Sequence, residues 1–181
     1  YSTISKPRFV NYPDGRQTSL TYTRGAPTSV ITYPSDGSAA TSVTQTLSSS
    51  CTTANYRICN KPQYTIDANG KRTDYTYDAA HGGLLTETFP ADPNGVRPQK
   101  RYSYTQLYPK VLNSTGNLVN STPVWRLTQI SECSSATSAN PASCVGTATE
   151  RRTTYAYNDN NLFLTSVTTA AGDGSLSATT S

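Results

Sequence analysis

The residues best able to do chemistry in this sequence are four cysteines, one histidine and two closely spaced aspartates. Cys51 with Cys59 and Cys133 with Cys144 form two close pairs, each bracketing a polar loop, CTTANYRIC and CSSATSANPASC. Neither loop contains CxxC, and a lone His leaves too few ligands for a zinc site. The pairs are expected to be local disulfides that close strand-to-strand loops in an oxidising compartment. Loop-closure entropy would make each worth roughly 2.5–3 kcal/mol. His81 is expected in a polar turn beside Gly82 and Gly83. A serine hydrolase needs a His held by a carboxylate beside an activated Ser, and the sequence has no GxSxG. Asp74 and Asp78 could act as acid and base if their carboxyls stood several ångströms apart across a substrate, but they read as surface residues of a strand. No phosphate-binding glycine loop, dinucleotide fingerprint or calcium loop occurs. No catalytic residue, metal ligand or cofactor is expected. Asn113-Ser-Thr and Asn120-Ser-Thr match the N-glycosylation acceptor, a pattern that chance readily produces in a chain rich in Asn, Ser and Thr.

Composition indicates the elements that must position these residues. Leu, Ile, Val and Phe number only 28 of 181 residues, a thin supply for a core, whereas Ser and Thr number 52 and Tyr 13. Thr and Tyr suit a pleated, half-buried surface, and each Tyr buries a large ring while keeping a polar handle. The expected class is all-β. The net charge of +4 is small and basic residues cluster only as pairs, which argues against a nucleic-acid surface. No apolar run reaches the roughly 18 residues of a membrane helix, so no membrane span is expected. The sequence lacks Met and an initial secretory signal, and reads as a processed product or an excerpt of a longer protein.

Tyrosines recur in pairs. YTY (Tyr75, Tyr77), YSY (Tyr102, Tyr104) and YAY (Tyr155, Tyr157) follow LTY, which ends at Tyr22, at intervals of 55, 27 and 53 residues. These intervals approximate multiples of 27, and repetition at such a period marks a stacked architecture. Two units are missing from the ladder, near residues 49 and 130, where the alternating stretches TSVTQTL and VWRLTQI lie close to the cysteine loops. Each unit reads as a β-hairpin. Asn69-Gly70 and Asn94-Gly95 are expected as type I′ turns, because Asn and Gly tolerate positive φ. Alternation places Tyr75 and Tyr77 on one face, with Asp74, Thr76 and Asp78 on the other. Asp78 to Gly82 then bends the chain, and in YNDNNLFLTSVT Asn161 stands where Gly82 stands.

The stretch GKRTDYTYDAAHGGLLTETF resembles the Tyr-Asp (YD) repeat of Rhs toxin shells, insecticidal toxin-complex shells and teneurins. That repeat has Gly, a short gap, then Tyr-x-Tyr-Asp-x-x-Gly-Arg-Leu. DANGKRTDYTYD matches it closely, GVRPQKRYSYT and GTATERRTTYAYN more loosely, and DGRQTSLTY in its turn and one Tyr. The resemblance spans most of residues 7–170. Against its pattern, His81 reads as an insertion and Gly83 replaces the usual Arg. Asp78 has Thr23, Thr105 and Asn158 in its place elsewhere. The resemblance implies a spiralling ribbon of antiparallel β-hairpins, with period about 27, forming a partial arc of a shell. Residues 1–181 are expected to be one such array and a fragment of a larger protein. In its terms Tyr22, Gly70, Tyr75, Tyr77, Asp78, Gly82, Gly95, Tyr102, Tyr104, Tyr155 and Tyr157 are structural motif residues. Asp92-Pro93-Asn94-Gly95 invites comparison with the aspartyl self-cleavage site that some Rhs proteins carry, but it stands alone here and reads as a turn.

The expected function is therefore non-catalytic. The chain would be a structural segment of an extracellular, cell-surface or exported shell that encloses or delivers a toxin or partner polypeptide. Its partners would be the rest of the parent chain or further copies of itself. A second reading is a carbohydrate-binding or adhesion module, because Tyr rows flanked by Asn, Asp and Thr suit stacking on sugars and hydrogen-bonding their hydroxyls. A third is a self-assembling β-rich fibre in which exposed strand edges pair between chains.

Overall fold

The computed structural model describes residues 6–181 and is all-β, with fourteen strands and no helix among those residues. Among the described residues no helix is long and apolar enough to cross a membrane. The chain divides into two compact units, one ending at Tyr75 and one running from Thr76 to Ser181. The first holds β1 (Phe9–Asn11), β2 (Gln17–Thr23), β3 (Ala26–Tyr33), β4 (Thr41–Leu47), β5 (Pro62–Ile66) and most of β6 (Arg72–Tyr77). Each strand pairs antiparallel with the next in chain order. The second holds β7 (Leu84–Thr88), β8 (Gln99–Leu107), β9 (Lys110–Leu112), β10 (Leu118–Asn120), β11 (Val124–Cys133), β12 (Glu150–Tyr157), β13 (Leu164–Ala171) and β14 (Ser177–Thr180). There β8 pairs with β11, and β9 and β10 form a separate two-stranded arm inserted between them.

Local side chains select the turns. At Asp67 the carboxylate accepts from the N–H groups of Asn69 and Lys71, and the Asp67 carbonyl accepts from Gly70 at 3.0 Å. Asp92 repeats the arrangement with Asn94, Val96 and Gly95, and Asn113 repeats it with Thr115, Asn117 and Gly116. These are three-residue loops, not the expected type I′ turns. Gly70 and Gly95 have φ of 73° and 81°, whereas Asn69 and Asn94 stay at negative φ because the Asp carboxylate pins the turn before the glycine. The two-residue turn with positive φ at both central positions lies instead at Arg24 (47°) and Gly25 (82°), between paired Thr23 and Ala26.

A β-bulge recurs in the hairpins. Opposite Tyr22, Leu47, Tyr104 and Tyr157 the returning strand carries one extra residue, Thr28, Gln63, Thr128 and Thr165 respectively. A bulge leaves that residue unpaired in the ladder and tightens the local twist. Thr28 and Thr128 bond across to Thr21 and Thr105 through their hydroxyls. This register corrects the ladder read from tyrosine spacing. The unit expected near residue 49 is present, with Leu47 in the tyrosine position. None exists near residue 130, because β11 is the returning strand of β8. The extra length between Tyr104 and Tyr157 is the β9–β10 arm and the Cys133–Cys144 loop.

The core is small. Among the described residues the buried apolar ones are Leu47, Cys59, Cys133, Ala136, Cys144 and Leu162, and the largest fully buried side chains are three cysteines. The motif tyrosines Tyr22, Tyr75, Tyr77, Tyr102, Tyr104, Tyr155 and Tyr157 are all half-buried. Disulfides join Cys51 to Cys59 and Cys133 to Cys144, with Cα atoms 5.2 and 5.6 Å apart. Both are local, as their spacing implied, and such bonds persist in an oxidising environment.

Arg24 ties the first disulfide loop to the β2–β3 turn. Its guanidinium donates to the carbonyls of Ser48 (2.6 Å), Cys59 (2.9 Å) and Ser49 (3.4 Å) and to Oδ1 of Asn60 (3.0 Å). Arg24→Ala is expected to destabilise the first unit by about 2 kcal/mol, a value held down by solvent around the guanidinium. Arg24→Lys should restore little, since an ammonium cannot span the four acceptors in one plane. Urea unfolding of the three proteins measures both effects, and an unchanged midpoint in Arg24→Ala would remove the clamp.

Candidate functional site

His81 does not lie in a solvated turn. Its side chain is 8% exposed and packs between the rings of Tyr104 and Trp125, with centroids 4.7 and 4.5 Å away. Asp78 Oδ1 accepts from the N–H groups of Ala80 and His81 and lies 3.5 Å from Nε2 of the imidazole. Nδ1 accepts from the Gly83 N–H at 3.0 Å, which places the imidazole proton on Nε2 in the neutral ring. A Cβ on Gly83 would fall 2.6 Å from Cε1 of His81 and 2.8 Å from Cζ of Tyr104, so the packing itself requires glycine there.

The same turn recurs at residues 158–163, with a different alignment from the expected one. Asp78 bonds to Gly82 and Gly83 through its backbone, as Asn158 does to Leu162 and Phe163. The side chain of Asn158 accepts from Asn160 and Asn161, and that of Asn161 accepts from Phe163. Thus Asn161 matches His81, and Leu162, at φ 56°, matches Gly82 at 74°. Within this chain His81 and Asn161 hold the same turn position, where an acceptor two residues before the closing N–H is needed. The left-handed conformation costs Leu162 roughly 1–2 kcal/mol. It is 4% exposed, and burying a Leu side chain returns about 1.5–3 kcal/mol, which offsets the strain.

A buried polar pair near the second disulfide was not legible beforehand. Glu150 and Ser131 are 3% and 4% exposed. The Ser131 hydroxyl donates to Oε1 of Glu150, and the Gly146 N–H donates to Oε2 at 2.8 Å. Gly172 makes room for the carboxyl, since a Cβ there would lie 2.2 Å from Oε2. The one sequence cue was a Gly opposite the start of a polar strand. The Asp74 carboxylate pairs with Arg72 at an N–O distance of 2.5 Å. Among the described residues no group of three or more His, Cys, Asp or Glu converges as a metal site.

Tyr102 is half-buried beside Glu87. Its hydroxyl donates to Glu87 at 3.3 Å, and its pKa is pushed up to about 12, first by burial and then by the Glu87 charge. Burial also raises Tyr104. The unfolded tyrosine loses its proton near pH 10, so the unfolded state releases protons first and stability falls between about pH 10 and 12. Stability below pH 10 is unaffected by this group. Alkaline unfolding followed by circular dichroism should shift to higher pH in Tyr102→Phe, and an identical profile would contradict the assignment.

A cleft of about 610 Å³ lies at the root of the β9–β10 arm, entirely within the second unit. Lys110, Asn120 and Tyr108 come from the arm and its approach, and Tyr155, Asp159 and Asn160 from β12 and its following turn. The arm is held there by a bond from the Lys110 N–H to the Asn160 carbonyl at 2.7 Å. Tyr157 also lines the cleft, fixed by its hydroxyl to the Leu127 carbonyl at 2.7 Å. No protein-family model matches the chain, and no curated protein matches it.

Proposed function

We propose that this chain is a non-catalytic structural segment of an extracellular or exported shell of the YD-repeat type, which encloses or delivers a toxin or partner polypeptide. The observation that carries the reading is the recurring hairpin. Four hairpins bear the same bulge, opposite Tyr22, Leu47, Tyr104 and Tyr157, and the aspartate turn is repeated at Asp67 and Asp92. A repeat of this kind leaves its tyrosine face half-covered and gains stability from the repeats beside it. The two disulfides support an exported setting.

Native mass spectrometry of the chain exported to an oxidising compartment, with and without reductant, tests the proposal. A monomer holding Cys51–Cys59 and Cys133–Cys144 is expected. An ordered multimer would replace the reading with a self-assembling fibre, for which the unpaired side of β14 is a ready edge. Four free thiols would remove the exported setting.

A further inference from the structure

We propose that the cleft at the root of the β9–β10 arm is a binding site for a short neutral oligosaccharide. The argument rests on the groups that meet there and does not depend on the shell reading. Two tyrosines supply flat apolar surface: Tyr108 is 45% exposed and Tyr155 half-buried. The Tyr108 and Tyr155 hydroxyls and the Asp159 carboxylate take part in no hydrogen bond or ion pair with another described residue. Lys110 donates to Oδ1 of Asn120 at 2.5 Å, which orients that amide and leaves its NH₂ to donate. The side-chain amide of Asn160 completes the rim.

This mixture selects among ligand classes. A sugar ring has an apolar C–H face for an aromatic plane, and hydroxyls that need donors and acceptors at close intervals. The cleft offers both, with carboxylate and amide oxygens as acceptors and amide NH₂ and phenol groups as donors. One Lys and one Asp leave it without net charge, which favours a neutral saccharide over a phosphorylated or acidic one. A peptide cannot add as a strand to β12, which is already paired on both sides by β11 and β13. The size suits a ligand of several rings, since specific small-molecule sites occupy about 300–1,000 Å³. Every residue of the arm from Val111 to Asn120 is exposed, so the cleft is open to solvent-borne chains.

Isothermal titration of the oxidised chain with cellotetraose, xylotetraose, maltotetraose and chitotetraose tests the assignment. At least one is expected to bind with a dissociation constant of about 1 mM or tighter. Tyr155→Ala and Asp159→Ala should each weaken it at least tenfold. Tyr108→Ala, on an exposed residue outside the strands, gives the same loss without risk to folding. Tyr56→Ala, in the first disulfide loop, should bind as the parent does. Absence of binding to all four sugars overturns the proposal, as does unchanged affinity in Tyr108→Ala and Asp159→Ala.

Discussion

Replacing Cys133 and Cys144 together by serine is expected to lower the stability of the second unit by about 3 kcal/mol, through loop closure alone. On a unit of this size that corresponds to a fall in melting temperature on the order of 15 °C. The estimate follows from chain entropy, because the bond closes a loop of sequence separation 11 in the unfolded state. Packing should add to it. Cys133 and Cys144 are 1% exposed and cluster with Ala136, which is fully buried, so the sulfurs are a large part of the buried apolar cluster there. The Cys144 N–H also donates to Sγ of Cys133 at 3.2 Å. Removing the Cys51–Cys59 bond should cost somewhat less, because its loop is shorter and Cys51 is exposed. Differential scanning calorimetry with and without reductant, beside the serine variants, measures both. A reduced protein that melts with the oxidised one would show that the sheet stands without its staples.

Glu150→Ala is expected to cost about 3–4 kcal/mol, the second large effect. The substitution leaves the buried Ser131 hydroxyl without an acceptor, worth roughly 1–3 kcal/mol, removes the bond from the N–H of exposed Gly146, and opens a cavity beside Gly172. Glu150→Gln separates the polar contribution from packing. Its amide oxygen can accept from Gly146 and its NH₂ can donate to the Ser131 oxygen, so the loss should fall to about 1 kcal/mol. Urea unfolding of the two variants decides the matter. Equal, large losses would mean that the carboxylate itself is required, and two small ones that the pair carries little of the stability.

Both effects arise because this fold has few other places to store stability. The strands are held by ladders and by hydroxyl pairs across them, such as Thr76 with Thr86 and Thr153 with Thr169. Cross-strand pairs of this kind contribute about 0.2–1 kcal/mol each, which explains how a chain so rich in Thr folds with so little Leu and Ile. The burial that remains is concentrated beside the disulfides.

Local chemistry was legible from residue order. Alternation of Thr and Tyr gave the β class, because the side-chain period of a strand is carried by neighbours two apart. Gly70 and Gly95 marked turns, and the short separations within the cysteine pairs marked the two disulfides. Register and burial were not legible, because they depend on which distant strand returns. Pairing β11 with β8 turned an expected repeat near residue 130 into half of an existing hairpin. Pairing also put Leu47 in a tyrosine position and enclosed the His81 imidazole between Tyr104 and Trp125, and the turn geometry set Asn161, the expected counterpart of Gly82, in the place of His81. The sequence by itself determined strands, turns and staples, which are set within a few residues. Tertiary structure alone decided the Ser131–Glu150 pair and the cleft below the arm, because each joins residues whose separation along the chain is bridged only by completed hairpins.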